Sequence, residues 1–135
     1  TLKIDITRMK PKKTRKRPRK PKQRTISQLK AEADRLFSLW IRARDKKCVL
    51  CGSKQQLQNG HYVSRGINIL RYDTRNCNAC CAVCNIWKNG NMVEYSAFMR
   101  RKHGPDIIEI LLKEKQKLHQ FTRTELTEII QTYAK

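Results

Sequence analysis

Two pairs of cysteines enclose a single histidine in the middle of the chain. Cys48 and Cys51 form the first pair, His61 follows, and Cys81 and Cys84 form the second pair. The two-residue spacing within each pair lets two thiolates reach one metal ion, and the two pairs together complete the tetrahedral shell of a structural zinc ion. Because four thiolates fill that shell, the histidine is left for chemistry of its own.

A second set of cysteines competes for the same metal, since Cys77 and Cys80 have the same spacing as Cys81 and Cys84. We favour Cys81 and Cys84 because that pair leads into a predicted short helix, as a zinc knuckle does. Cys77 and Cys80 are then small buried hydrophobic residues or weakly reactive thiols. This part of the chain has too few apolar residues to fold without a cross-link, so we expect structural zinc.

Three more side chains in this region are candidates for hydrolytic chemistry. The neutral imidazole of His61 has an ordinary pKa of about 6.5, which suits it to take a proton from water near neutral pH, although a packing role fits its position equally well. Asn85 has an amide oxygen that can bind a hard cation such as Mg²⁺. The carboxamide of Asn76 can brace a neighbouring loop or the imidazole. These residue types alone leave catalysis and packing both open.

Positive charge dominates the chain. Its 135 residues carry 31 Lys and Arg against 11 Asp and Glu, a net charge of +20, and residues 1–24 hold twelve of the basic side chains with one acidic one. A tail and a domain that are both strongly basic indicate a polyanionic partner, most simply nucleic acid. The Pro-punctuated tail is predicted to be disordered, with an Arg-Pro-Arg core that can also enter a minor groove. Its candidate phosphate contacts are Arg15, Lys16, Arg17, Arg19 and Lys20.

The location of the protein is inferred from its cysteines and its lack of apolar runs. The sequence has no signal-peptide pattern, and no long apolar run or lipidation signal supports a membrane. Six cysteines can form disulfides in a secreted protein, but their paired spacing favours metal binding under reducing conditions. We therefore expect a cytoplasmic protein with no membrane partner.

Hydrophobic periodicity predicts an α+β fold that is mostly helical, with a disordered tail over 1–24 and one domain over 25–135. A helix is predicted over 27–45, capped by Thr25 and Gln28. The zinc-bearing core is predicted over 46–91, with strands over 57–63 and 69–72 and a short helix from near Cys84.

The last part of the chain, residues 92–135, is predicted to be helical. Gly104 is a favourable residue to end one helix, and Pro105 can occupy the first position of the next. Thr122 and Glu125 form a capping box for the last helix. These helices supply core packing and scaffold, or equally a dimer interface.

The order of these motifs resembles the zinc-bearing HNH nucleases, also called ββα-metal or His-Me finger nucleases. A closer resemblance, to the NinG/Rap family of phage recombination endonucleases, runs from Cys48 to about Leu112 and includes the preceding helix. It is carried by the strings WIRARDKKCVLCG, NGHYVSRG, LRYDTRNCNACCAVCN and GNMVEY. The Cys84-Asn85 ending is also similar to the phage endonuclease VII resolvases.

The resemblance implies a ββα-metal core and a structure-selective DNA endonuclease that hydrolyses phosphodiester bonds in branched recombination intermediates, such as Holliday junctions and D-loops. It implies His61 as the general base, Asn76 as the residue that orients the histidine-bearing loop, and Asn85 as the ligand of a catalytic Mg²⁺ or Mn²⁺ ion. It implies structural zinc on Cys48, Cys51, Cys81 and Cys84. Candidate phosphate clamps near the histidine are Arg65, Arg71 and Lys88. A branched substrate with two-fold symmetry suggests a homodimer in the host cytosol.

One position departs from the HNH pattern. Many HNH enzymes have Asp or His directly before the general base as a second metal ligand, whereas this chain has Gly60. Candidates to compensate are Asn59, Asn78 and Asp73, together with water and phosphate oxygens. The glycine supports an alternative function, a zinc DNA-binding protein that assists recombination without cleaving DNA. A sequence-specific HNH nuclease of the homing or restriction type is a further alternative.

Overall fold

A two-stranded antiparallel sheet lies among helices in the structure, a computed structural model that describes residues 13–135. The expected mixture of helices with a small sheet is confirmed. The elements are α1 (Ile26–Asp45), β1 (Leu57–His61), α2 (Asn68–Arg71), β2 (Cys77–Cys81), a π-helical turn (Val83–Trp87), α3 (Met92–His103), α4 (Ile107–Glu114) and α5 (Arg123–Tyr133). Within the described part of the chain, every helix is too short or too polar to cross a lipid bilayer.

The basic segment before α1 is exposed. Residues 13–25 form neither helix nor strand. They include the five candidate phosphate contacts of the tail, and all of these side chains face solvent. Residues 1–12, the remainder of the predicted disordered tail, lie outside the described residues.

Helix α1 starts one residue before its predicted beginning, and the predicted capping box is present. The hydroxyl of Thr25 accepts a hydrogen bond from the backbone N–H of Gln28, and the side chain of Gln28 accepts one from the backbone N–H of Thr25. These bonds satisfy two donors at the start of the helix. One face of the helix is buried, through Leu29, Ala33, Phe37 and Ile41.

The last helix, α5, covers the first half of that face. Leu126 is fully buried against Leu29 and Ala33. The ring of Tyr133 packs edge-on against Phe37, with ring centroids 4.8 Å apart. Thr122 and Glu125 form the predicted capping box at the start of α5. The second half of the α1 face also packs against β2, so α1 joins the last helix to the sheet.

The hairpin differs from the predicted strands. β1 pairs with β2, with Leu57 opposite Cys81 and His61 opposite Cys77. The strand predicted over 69–72 is wrong, because α2 occupies Asn68–Arg71 and buries Leu70. All five residues of β2 are buried, so this strand has no alternation of apolar and polar residues to reveal it. Asn and Ala are also weak strand formers, so the packing of this segment decides its structure.

The connection between α3 and α4 also corrects a prediction. Gly104 follows α3 with φ of 99° and ψ of 164°, an extended conformation of positive φ that favours glycine and that differs from the left-handed helical cap. The backbone N–H of Ile107 donates to the carbonyl of Gly104, which closes a turn across Pro105 and Asp106. Helix α4 therefore begins at Ile107, and Pro105 lies before the helix rather than at its first position.

The middle of the hairpin has no room for a side chain at Gly60. A Cβ atom there would lie 2.6 Å from Sγ and 3.0 Å from Cβ of Cys80. The carbonyl of Gly60 accepts a hydrogen bond of 2.6 Å from the hydroxyl of Tyr95, a buried residue of α3. Strand β1 is therefore held between its partner strand and α3, and glycine is required by packing.

Gly60→Ala is expected to lower the free energy of unfolding by about 1–3 kcal/mol, the usual range for overpacking a core. Urea unfolding of the zinc-loaded protein measures this change. The matched control is Gly66→Ala, since the nearest atom to its added Cβ would be 3.7 Å away. Adding Cys80→Ala removes the closest clash and should recover part of the loss. Strictly additive effects of the two substitutions would contradict this account.

Candidate functional site

Four cysteines form a cluster with the dimensions of a zinc site. The Sγ atoms of Cys48, Cys51, Cys81 and Cys84 all lie within 4.8 Å of one another. Those of Cys51 and Cys81 are 3.5 Å apart. Zn–S bonds of about 2.3 Å in a tetrahedron separate neighbouring sulfurs by about 3.8 Å. The donors and their spacing therefore suit a structural metal ion such as zinc, on the cysteine set that the sequence analysis favours.

Backbone hydrogen bonds hold the first cysteine pair in place. The N–H of Gly52 donates to the carbonyl of Cys48 at 2.9 Å, and the N–H of Val49 donates to the carbonyl of Ala79 at 2.9 Å, which ties this turn to β2. Burial opposes ionisation of Cys48, but hydrogen bonds from the backbone outweigh it and lower the pKa of this thiol to about 7. A thiol that ionises readily is suited to metal binding, whereas burial raises the pKa of Cys84 in the same cluster to about 12, so metal binding there must release a proton.

The competing cysteines lie outside the cluster. Cys77 and Cys80 are 0% and 1% exposed. Burial raises the pKa of each thiol, so both stay protonated at neutral pH. Cys77 packs with the core beneath α1, and Cys80 packs against Gly60. They are small core residues, the first of the two roles expected for them.

A cavity of about 430 Å³ is lined on one side by Asn85, the residue that follows the last cysteine of the cluster. It is bounded by α1, the end of β1, the loop after β1, α2 and the π-helical turn. His61 and Asn85 both line it, so the structure brings these two candidates to one space. The other polar side chains that face the cavity include Asp34, Gln58, Arg65 and Arg71.

The imidazole of His61 is oriented by a backbone carbonyl. Its Nε2 atom lies 3.0 Å from the carbonyl oxygen of Arg71. A carbonyl can only accept, so Nε2 carries the proton of the neutral ring and Nδ1 keeps its lone pair. Burial lowers the pKa of His61, and the positive charges of Arg65 and Arg71 lower it further. The ring is therefore a neutral base at pH 7.

The carboxamide of Asn85 is held by a neighbour on β1. Its Nδ2 atom donates a hydrogen bond of 2.8 Å to the side-chain oxygen of Gln58. Among the hydrogen bonds of residues 13–135, none uses Oδ1 of Asn85. The amide oxygen is thus available to a ligand. Cys84, the residue before Asn85 in the same turn, belongs to the four-cysteine cluster.

Asn76 braces the loop after His61 and does not face the cavity. Its Oδ1 accepts a 2.7 Å hydrogen bond from the N–H of Val63, and its Nδ2 donates to the carbonyls of Val63 and Leu70 at 3.0 and 3.2 Å. It is 0% exposed. Of the two uses considered for this carboxamide, the structure has the loop brace rather than a contact with the imidazole.

The basic candidates of the core differ in their surroundings. Arg65 is exposed and lines the cavity. Lys88 is exposed directly after the π-helical turn. The guanidinium of Arg71 is instead engaged by Asp34, through bonds of 2.8 Å from Nε and 2.5 Å from Nη2. The positive charge of Arg71 is therefore neutralised by Asp34, whereas the side chains of Arg65 and Lys88 are exposed.

Three residues are candidates to supply the metal ligand that Gly60 cannot supply, and their surroundings differ. Asn59 lines the cavity, and its buried Oδ1 has no hydrogen-bond partner within residues 13–135. Asn78 is buried elsewhere, where its Oδ1 accepts from Arg44 and Lys102. The carboxylate of Asp73 is occupied by Arg75 at 2.7 Å. Asn59 is thus the candidate at the cavity.

Sequence reasoning missed Asp34, which lines the cavity, and Trp87, which is exposed and is not part of the cavity lining. Asp34 lies three residues before Phe37 and seven before Ile41, so helical spacing puts this carboxylate at the edge of a buried face. Helical spacing could therefore have indicated from the sequence that the side chain of Asp34 lies at the edge of the core. Trp87, in the same turn as Asn85, is 80% exposed. Nothing in the sequence distinguishes it from a core tryptophan.

Loss of the zinc cluster is expected to unfold the middle of the chain. Structural zinc contributes about 10–16 kcal/mol in small domains, which equals or exceeds a typical folding free energy of about 5–15 kcal/mol. Elemental analysis should find a single zinc ion per chain, and Cys51→Ala should lose it together with ordered structure by circular dichroism. Cys77→Ala, which removes a cysteine outside the cluster, is the control and should retain zinc. Zinc kept by Cys51→Ala and lost by Cys77→Ala would contradict the assignment.

The family model and the curated relatives that match this chain carry the same name. The model for the bacteriophage lambda NinG protein matches residues 2–135. Protein ninG of Salmonella phage P22 is 32% identical over 126 residues, which cover 90% of this chain and 60% of the relative. The same-named proteins of Escherichia phages 933W and lambda are 31% and 30% identical, covering 90% of this chain and 60% and 59% of those relatives.

The chain spans about 60% of the length of these curated relatives. No solved structure matches it significantly. The family match extends over nearly the whole sequence, including α1, the cysteine cluster and the helices that follow. On this basis the chain belongs to the NinG family of bacteriophage proteins.

Proposed function

We propose that this protein is a metal-dependent endonuclease with an HNH-type site that hydrolyses phosphodiester bonds in branched DNA. The observation that carries the proposal is the cavity shared by His61 and Asn85. The first offers a neutral base and the second a free amide oxygen. A base for water and an oxygen ligand for a hard cation are the groups that single-metal phosphodiester hydrolysis needs.

The donors in the cavity suit Mg²⁺ or Mn²⁺. Asn85 and Asn59 have amide oxygens without hydrogen-bond partners in the described chain. Mg²⁺ keeps several waters and takes phosphate oxygens as ligands, so a site with few protein ligands is workable. When bound, the ion would neutralise the scissile phosphate and the leaving 3′ oxygen.

His61 acts as the general base in this proposal. Its Nδ1 takes a proton from a water molecule, which attacks phosphorus in line. The carbonyl of Arg71 accepts a hydrogen bond from Nε2–H and stabilises the imidazolium that forms. Arg65 contacts a phosphate oxygen at the rim of the cavity. A zinc ion held by the four cysteines would take no part in the chemistry, because four thiolates would leave it no open position.

Branched DNA as the substrate rests on the family resemblance and on charge. The net charge of +20 favours a polyanion. Trp87, 80% exposed beside Lys88, provides an aromatic surface of the kind that stacks on unpaired bases. We extend the proposal to a homodimer on two-fold junctions and to the reducing cytosol of the host.

The alternative function is DNA binding without cleavage. Gly60 favours it, because the packing against Cys80 prevents any side chain there from serving as a metal ligand. In that case the zinc cluster and the basic surface would be retained for binding, while the cavity would have no chemical role. Cleavage and binding must therefore be measured separately.

His61→Ala is expected to lose cleavage of four-way junction DNA by several orders of magnitude, since the base for water is gone. The assay uses Mg²⁺ or Mn²⁺ with junction and matched linear duplexes. His119→Ala is the control, because His119 pairs with Glu125 away from the cavity. Both variants should retain zinc and bind junctions normally.

Normal cleavage by His61→Ala would overturn the general-base role. Junction binding without any cleavage by the wild-type protein would favour the accessory function. Cleavage of duplexes at one defined sequence, with no preference for junctions, would favour the homing or restriction type of nuclease.

Removal of residues 1–24 is expected to weaken DNA binding and to flatten its salt dependence. Each lost phosphate contact reduces the slope of log K against log salt by about 0.9 for duplex DNA. Fluorescence anisotropy between low and moderate salt measures the slope. A variant that keeps residues 1–24 but carries the five substitutions Arg15→Ser, Lys16→Ser, Arg17→Ser, Arg19→Ser and Lys20→Ser separates the effect of charge from the effect of tail length. An unchanged slope in both variants would show that the tail does not touch phosphate.

A further inference from the structure

A network of hydrogen bonds connects helix α1 to the imidazole of His61. Asp34 on α1 accepts two bonds from the guanidinium of Arg71, at 2.8 and 2.5 Å, and one from the hydroxyl of Tyr72 at 2.8 Å. The backbone carbonyl of the same Arg71 accepts a hydrogen bond of 3.0 Å from Nε2–H of His61. One carboxylate thus fixes both the side chain and the position of the residue that orients the imidazole.

This network is shielded enough to hold its geometry. The side chains of Arg71 and Asp34 are 12% and 23% exposed, so water screens the pair less than it screens a surface ion pair. The third donor group of Arg71, Nη1, bonds to the carbonyl of Arg65 at 3.1 Å. Both planar ends of the guanidinium are therefore fixed, and α2 cannot rotate without breaking a bidentate pair.

We propose that Asp34 is a positioning residue that acts on His61 through Arg71. The proposal rests on the proposed function for its catalytic consequence, but its structural part concerns the imidazole alone. Helix α1 then belongs to the active site rather than to the scaffold. Asp34 also balances a cation that would otherwise face the cavity uncompensated.

Loss of this carboxylate has opposite effects on binding and on catalysis. In Asp34→Asn the bidentate acceptor becomes a weak one, so the Arg71 carbonyl is no longer held against Nε2. The released guanidinium faces the cavity that the proposed function assigns to phosphate, where it can bind a phosphate oxygen. The variant should therefore bind junction DNA as well as or better than the wild type while cleaving it more slowly.

Single-turnover cleavage and equilibrium binding measure this split. For Asp34→Asn we expect a fall in the cleavage rate of about 10- to 100-fold, the usual cost of losing a partner that orients a functional ligand, with no loss of affinity. Glu32→Gln is the matched control, since it removes one carboxylate from the same helix at an exposed pair with Arg35. Wild-type cleavage by Asp34→Asn would overturn the proposal, as would equal effects in Glu32→Gln.

The pH profile separates positioning from general loosening of the fold. The charged groups that face His61 are Asp34, Arg65 and Arg71; the carboxylate raises its pKa and the two cations lower it. Removing Asp34 should thus move the acid limb of the rate profile to lower pH. A cavity that merely opens to water would relieve burial and move the limb to higher pH. That result, or an unmoved limb, would overturn the proposal.

Arg71→Lys and Asp34→Glu cover the case in which Asp34→Asn does not fold. Lysine keeps the charge but cannot make the bidentate pair, so Arg71→Lys should also cleave more slowly. Asp34→Glu keeps the charge and should be less impaired than Arg71→Lys. Wild-type rates in Arg71→Lys would overturn the proposal.

Nuclear magnetic resonance tests the positioning without any cleavage. Long-range ¹⁵N–¹H spectra of wild-type His61 should report a neutral ring protonated at Nε2, and its titration should move to lower pH in Asp34→Asn. The wild-type ring protonated at Nδ1 would overturn the proposal. The expected spectra from a protein that cleaves no DNA would refute the proposed function and leave the role of Asp34 standing.

Discussion

The four-cysteine cluster is the constraint on which the middle of the molecule depends. A two-stranded sheet is marginally stable by itself, and β2 supplies the core mainly with small side chains. The cluster joins the turn after α1 to the end of β2 and to the π-helical turn. Each of these elements contributes a wall of the cavity or lies next to one. A metal ion bound there would fix the spacing between β2 and the turn that carries Asn85, which packing of Ala, Asn and Cys alone would leave loose.

The parts of the fold that the sequence predicts well are those set by local hydrogen bonding or by ligand spacing. Both capping boxes follow from Thr and Gln or Glu three residues apart, and the zinc set follows from paired cysteines. β2 and α2 depend on tertiary contacts. β2 is buried on both faces and has no period, while residues 69–72 have strand-forming types but lie in a short helix that buries Leu70.

The residues around the cavity divide in the same way, into those that the sequence indicates and those that only the fold reveals. The resemblance of the motif order to HNH nucleases singles out His61 and Asn85, and the structure brings these two residues to one space. Asp34 is distant in sequence and reaches His61 only through Arg71, so its part in the site needs the fold to be visible. Arg71 shows the converse: a basic residue near the histidine suggests a phosphate clamp, yet its guanidinium is already neutralised.

Gly60 decides how the cavity can hold a cation. Its Cα lies too close to Cys80 for any side chain, and its carbonyl is taken by Tyr95. Strand β1 thus gains a tight packing contact at the position where many HNH nucleases, which the motif order resembles, have a metal ligand. Under the proposed function, a cation in the cavity would rely on amide oxygens, water and the phosphate of the substrate. Because neutral amides bind a divalent ion more weakly than carboxylates do, DNA and metal would then assemble together, and the bound phosphate would complete the site that acts on it.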